Sequence, residues 1–353
     1  MIRNFQALRA LAALLVLFVH TEPLLRPLGI TDNDLVFGYA GVDLFFVLSG
    51  FVIVHSSLRR SQSAGAFMLG RIARVVPLYW ALTLGVFAIA LIAPALLNST
   101  DADWGNLAKS LLFIPYQKAN GLVQPLLFVG WTLNYEMFFY LLFAGALALG
   151  RDNAMRTAFI SAAALILWVG LITLTAPRAL PLRFYGDTIV LEFVLGMAVG
   201  VLAHRSRLPM MPRTAVLIFL LSLAWLIVHP AFTGGQLRWV YAGIPSALML
   251  ASAFALEAHG HAARQRTVQL LGAASYALYL SHPFVLQAWG KLVAPINGPA
   301  TAVALTLAGI LFAHLVGVSL HIWFERPLTA RCKQLATDLL LSRNRPGAVT
   351  GRA

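Results

Sequence analysis

Apolar runs follow one another along almost the whole chain, separated by short polar or basic breaks. At about 20 residues per crossing, runs long enough to span a bilayer fall at 5–25, 36–56, 72–97, 125–149, 155–175, 186–204, 213–230, 237–257, 268–293 and 300–325. The pattern predicts an all-α polytopic membrane protein of about ten transmembrane helices, because a backbone crossing lipid must satisfy its own hydrogen bonds. Two stretches are less regular. The segment AKSLLFIPY within 98–124 reads as a short re-entrant or interfacial helix, and the glycines of 36–56 would permit a broken helix.

Composition agrees. The 353 residues are 59% hydrophobic and 11% charged, with a mean hydropathy of +0.79, which excludes an ordinary soluble globule. Net charge is +13, and placing the N-terminus inside puts 19 of the 26 basic residues in inner segments. The outer segments hold Arg26, Lys109, Lys118, Arg178, Arg183, Arg238 and Lys291, together with Asp32, Asp34, Asp101 and Asp103. This bias predicts cytoplasmic N- and C-termini, and basic residues facing an anionic leaflet need no nucleic acid partner. The first run has no small-residue cleavage site before Thr21 and Glu22 and reads as a retained signal anchor. Cys332 is the only cysteine and is expected to be an inert thiol. No metal-ligand spacing, nucleotide-binding GxxxxGK[ST] loop or transporter-like internal repeat is visible. A membrane domain is expected over 1–327, followed by a basic, disordered cytoplasmic tail over 328–353 that includes Arg343, Asn344, Arg345, Pro346 and Gly347.

Within this apolar frame the ionisable residues stand out. Arg9 and His20 lie eleven residues apart in RALAALLVLFVH, so they share a helix face and are separated by about 16 Å of rise. Intramembrane charges are costly and mark functional candidates, although Arg9 could also snorkel to the headgroups and His20 could be a bonded bundle residue. Asp43 lies in GYAGVDLFFVLSGF beside Gly41, Ser49 and Gly50, roughly level with His20. An Asp43–imidazole contact is geometrically reasonable, and so is a carboxylate satisfied by nearby backbone amides. Arg71 and Arg74, three apart in RIARVVPLYW, form a natural phosphate clamp or serve as topology anchors. Glu136 in WTLNYEMFFY lies near the bilayer centre beside Asn134 and Tyr135 and requires a partner. Further polar positions are Glu192 in EFVLGM, His282 in SYALYLSHP, and His314, His321 and Glu325 before FERP closes the last run. Each could be a structural tie, but together they are too many for a passive anchor.

The order R-x10-H, GVDLFFVLSGF, RxxR ahead of PLYW, WTLNYEMFFY, EFVLGM, SYALYLSHP and FERP resembles the bacterial membrane acyltransferase-3 family over essentially the whole chain. Within it, the sequence is most similar to the exopolysaccharide O-acetyltransferase branch, without an appended SGNH domain. The resemblance implies an inner-membrane enzyme moving an acyl group, usually acetyl, from cytoplasmic acyl-CoA as co-substrate to a saccharide hydroxyl at the outer face. Other acceptors in the same class are lipopolysaccharide, peptidoglycan or a small glycosylated metabolite. It also implies lipid-linked saccharide and polysaccharide assembly or export proteins as candidate partners. Arg9, Arg71 and Arg74 would hold the CoA phosphates. His20 would act as base or nucleophile. Glu136, or else Asp43, would orient its ring. Ser49, Asn134, Tyr135 and His282 would bond the oxyanion or line the acceptor groove, unless they simply pack. The competing reading is a transporter of lipid, proton or saccharide, which would need no CoA; a non-catalytic scaffold for polysaccharide export is a third.

Overall fold

A computed structural model describes residues 2–97, 100–150, 153–205, 208, 210–229 and 235–343, with the backbone alone for 339–343. Arg151, Arg207 and the 344–353 part of the expected tail therefore lie outside the described residues. The chain forms fifteen helices among the described residues: α1 Arg3–Val19, α2 Glu22–Leu25, α3 Asp32–Leu35, α4 Ala40–Arg59, α5 Ala64–Ile92, α6 Trp104–Leu111, α7 Trp131–Leu149, α8 Ala154–Thr175, α9 Leu180–Tyr185, α10 Leu191–His204, α11 Pro212–Val228, α12 Ile244–Ala258, α13 Arg266–Val293, α14 Pro299–Leu320 and α15 Arg326–Arg343. Among those residues there is no strand, only one isolated antiparallel bridge between Gln117 and Val123.

Each of the ten apolar runs falls on a helix. Six helical segments, 32–59, 64–92, 128–149, 154–175, 239–258 and 299–338, are long and apolar enough to cross a membrane. A seventh is counted if α1 and the helical turns over Glu22–Leu28, bent by 60°, act as one span. Thr188–His204 and Pro212–Val228 are shorter apolar helices. The outside carries large apolar side chains such as Leu167, Leu311 and Leu174, the last 87% exposed, as a lipid-facing surface should. The tail expected to be disordered from 328 is helical through Arg343.

The glycines of 36–56 do not break α4, which runs continuously through Gly41 and Gly50. They permit close approach instead. A Cβ on Gly41 would lie 2.2 Å from the Ala12 carbonyl oxygen of α1, and one on Gly50 would lie 2.1 Å from that of Phe193 in α10. α4 is thereby held between α1 and α10, and α1 packs in turn along α13. Phe46, Phe139 and Phe193 fill the space between α4, α7 and α10, with Phe139 and Phe193 stacked at 4.4 Å. AKSLLFIPY becomes the eight-residue α6 and a loop, capped at its start by Asp103, whose Oδ1 accepts from the Asn106 amide.

Two π-helical turns interrupt the regular spacing, at Trp239–Gly243 entering α12 and at His321–Glu325 leaving α14. Each adjoins a long-range ion pair, Arg238–Asp43 at the first and Glu325–Arg74 at the second.

Candidate active site

α1, α4, α5, α7 and α13 enclose a cavity of about 330 Å³. Arg9 from α1, Arg71 and Arg74 from α5, and Glu136 and Ser49 from α7 and α4 all line it. The three arginines expected to act together are therefore brought to one chamber. At the opposite end Phe45, Thr132 and Tyr279 form its boundary. The Tyr279 hydroxyl lies 2.8 Å from that of Thr132 and donates to the Val129 carbonyl at 2.9 Å, which fixes this boundary in place.

The arginines differ in their commitments. Arg9 Nε donates to Ser275 Oγ at 3.1 Å. Arg74 Nη1 pairs with Glu325 Oε1 at 2.6 Å, and Glu325 also accepts from His321 Nδ1 at 2.7 Å. The π turn that carries both His321 and Glu325 brings Glu325 to Arg74 of α5. Arg71 makes no ion pair among the described residues; its guanidinium lies over the rings of Phe67 and Tyr140, and its buried Nε lacks a hydrogen-bond partner. A cation held only by aromatic faces is available to an anionic ligand.

Glu136 accepts from Ser49 Oγ at 3.0 Å and from the Tyr140 hydroxyl one helical turn away. Asp43 is fully buried and gripped by Arg238, Nε to Oδ1 at 2.8 Å and Nη2 to Oδ2 at 2.9 Å. Glu192 faces the same buried pair. Neither carboxylate expected to orient His20 meets it. Equal depth placed Asp43 and His20 together in the sequence reading, but depth says nothing of azimuth, and Asp43 turns toward Arg238 instead.

His20 caps α1 and does not line the cavity. Its ring lies 5.0 Å from that of His282 and 5.5 Å, edge-on, from Phe128. Of the remaining candidates, Tyr135 stacks on Phe184 at 4.3 Å, and the buried Asn134 leaves Oδ1 without a partner. Arg238, Tyr140, Ser275, Tyr276 and Tyr279 were not singled out by sequence. Tyr140 alone was within reach, four residues after Glu136 on one helical face. Among the described residues no group of three or more His, Cys, Asp or Glu side chains is arranged to hold a metal ion.

Outside the spans, the Lys118 ammonium is pushed down to about 8 by burial, which the nearby Asp101 carboxylate opposes.

The profile of the acyltransferase domain (Acyl_transf_3) matches residues 2–320. The chain belongs to the acyltransferase-3 family. As a member of it, the protein is a multi-pass membrane acyltransferase. It is 34% identical over 307 residues to the exopolysaccharide production protein ExoZ of Rhizobium meliloti (strain 1021), covering 85% of this chain and 92% of that one. It is 29% identical over 343 residues to the acyltransferase MdmB of Streptomyces mycarofaciens, covering 88% and 84%. It is also similar to nodulation protein 10 of Rhizobium leguminosarum bv. viciae, 32% identical over 189 residues, or 47% and 50% of the two chains. No solved structure matches this acyltransferase-3 chain.

Proposed function

We propose that this acyltransferase moves an acyl group, acetyl in the first instance, from cytoplasmic acyl-CoA to a saccharide hydroxyl at the outer face of the inner membrane, with an exopolysaccharide or its lipid-linked precursor as acceptor. The observation that carries this reading is the single cavity into which Arg9, Arg71 and Arg74 all project. Similarity to an exopolysaccharide production protein supports the choice of acceptor. In this reading the chain crosses the membrane ten times, counting α13, the bent α1 pair and the two shorter apolar helices with the six longer spans, and both termini are cytoplasmic.

The cavity opens beside Arg59 and His55, at the end of the bundle that also holds the start of α1. Arg71, without an acid partner, takes a CoA phosphate, and Arg9 and Arg74 add positive potential around it. The pantetheine arm extends along α1 past Glu136 toward the Tyr279–Thr132 boundary, beyond which lies His20. That boundary must yield for the thioester to meet the imidazole. His20 then either removes the proton of the attacking sugar hydroxyl or itself attacks the thioester carbonyl, carries the acyl group and yields it to the hydroxyl as the C–N bond breaks. In the direct route His20 passes the acceptor proton to the departing thiolate, which leaves as free CoA; in the covalent route the thiolate leaves with the proton of the acylated imidazole, and the acceptor hydroxyl later restores that proton to His20. Polysaccharide assembly or export proteins are the partners that would present such an acceptor.

The test is acyl transfer in inner-membrane vesicles supplied with acetyl-CoA labelled in the acetyl group and with saccharide from the same cells. Wild type should produce base-labile saccharide ester, and His20→Ala should not. Equal labelling in both removes His20 from the chemistry. No labelling from any acyl-CoA, with folded protein present, favours transport instead.

A further inference from the structure

The groups facing His20 are unusual for a histidine that performs acyl transfer. The acids that could orient it are engaged elsewhere, Asp43 with Arg238 and Glu136 with Ser49 and Tyr140. His20 makes no side-chain hydrogen bond among the described residues; its ring neighbours are Phe128 and His282. We propose that His282 is the positioning residue of this site: its Nε2 accepts a hydrogen bond from His20 and thereby sets which His20 nitrogen is left to the reacting groups. The proposal rests on the role given to His20 above.

The state of the His282 ring follows from its other nitrogen. His282 Nδ1 lies 3.0 Å from the Leu278 carbonyl oxygen. A carbonyl only accepts, so Nδ1 carries the proton, and in a neutral ring Nε2 is a lone pair. That Nε2 is fully buried and has no partner. A buried acceptor without a donor is rare in folded proteins, and its presence calls for a group that donates to it. Tyr279, at 6.0 Å, has its hydroxyl already engaged with Thr132 and Val129; His20 lies nearer, 5.0 Å away between ring centroids at an interplanar angle of 48°. Nitrogens turned toward each other across that separation come within hydrogen-bonding range.

Full burial and the i−4 bond to Leu278 hold the His282 ring against rotation, whereas His20 is half-buried at a helix end. The fixed ring therefore orients the freer one. When His20 donates one N–H to His282, its second nitrogen must be the lone pair, as either transfer role requires. An acid in the same place would also stabilise a charged His20; a neutral imidazole sets orientation alone.

The experiment uses full-length protein in nanodiscs with ¹⁵N-labelled histidine, the His20 signals being assigned by their loss in His20→Gln. Wild type should show His20 in one neutral tautomer. His282→Leu should mix the two tautomers, and His282→Gln, which restores an acceptor oxygen, should return the single form. In parallel, His282→Leu should lower kcat about 10–100-fold with the acyl-CoA KM changed less than about 3-fold, and His282→Gln should recover part of the loss. An unchanged His20 tautomer in His282→Leu overturns the proposal whatever happens to activity, because a merely structural role would not hold the tautomer. If His282→Leu fails to fold, His282→Asn against His282→Gln decides, the shorter amide leaving the tautomers mixed and the longer one not. The spectra need neither donor nor acceptor, so absence of transfer by wild type would unseat the acyl-transfer reading and leave this one decided by the tautomer alone.

Discussion

Asp43 and Arg238 meet in a two-pronged ion pair, with guanidinium nitrogens 2.8 and 2.9 Å from the two carboxylate oxygens and the carboxylate wholly buried. The pair ties α4 to the π turn at the entrance of α12. Removing Arg238 leaves the wholly buried Asp43 carboxylate without its cation in a low-dielectric setting. Arg238→Gln should therefore destabilise the protein by about 3–5 kcal/mol. Detergent-solubilised protein followed by thermal unfolding checks this. The double variant Arg238→Gln with Asp43→Asn should lose less than the two single losses added together, because its second change removes the stranded charge.

Arg71 is the contrasting case. It has no acid to abandon, so Arg71→Ala should cost only about 0.5–2 kcal/mol, the loss of its contacts over Phe67 and Tyr140. If it holds a phosphate of the donor, the same change should raise the acyl-CoA KM about 10–100-fold, the loss of one charge-assisted contact. Arg71→Lys should regain only part of this, since an ammonium does not reproduce the planar fork or its stacking on Phe67 and Tyr140. Initial-rate kinetics beside melting curves separate the two effects.

The boundary between the cavity and His20 should also respond to a single atom. Tyr279→Phe removes the hydroxyl that lies beside Thr132 and donates to Val129 but keeps the ring. A looser boundary should admit water to the thioester, so hydrolysis of acyl-CoA in the absence of acceptor should rise several-fold while the acyl-CoA KM stays nearly constant. A free-thiol assay on vesicles without saccharide reads this directly.

Lys118 gives the loop after α6 a pH dependence. Its ammonium is held down to about 8 in the folded loop, against 10.5 in an open chain. Between those values the unfolded loop still binds the proton that the folded loop has released, so stability rises with pH across that window and is flat below it. Proteolysis of the 100–127 region should slow from pH 8 to pH 10.5. Lys118→Met should abolish the trend.

The helices were legible because lipid forces each crossing to be a long apolar run, and such runs need no knowledge of neighbours. Arg9, Arg71, Arg74 and Glu136 were legible for a related reason: a charged side chain in an apolar run must turn inward, and one cavity received all four. Their partners were not. Arg74 and Glu325 are 251 residues apart, Asp43 and Arg238 are 195 apart, and helical periodicity tells which face a residue occupies without telling which helix lies opposite. The neighbour of His20 was not legible for that reason: the sequence left Glu136 and Asp43 open, and the ring beside it is that of His282. Arg238 was passed over because an arginine at the end of a span looks like a topology anchor in sequence.

The bond between Arg74 and Glu325 also sets an order of events during synthesis. Arg9, Arg71 and Arg74 have all entered the membrane well before the ribosome reaches the π turn that carries Glu325 and His321. Until that turn arrives, three cations crowd an unfinished chamber with one acid, Glu136, among them. Maturation of the chamber is thus a late step, and a nascent chain released before residue 325 would present Arg74 without its acid to the quality-control machinery of the membrane.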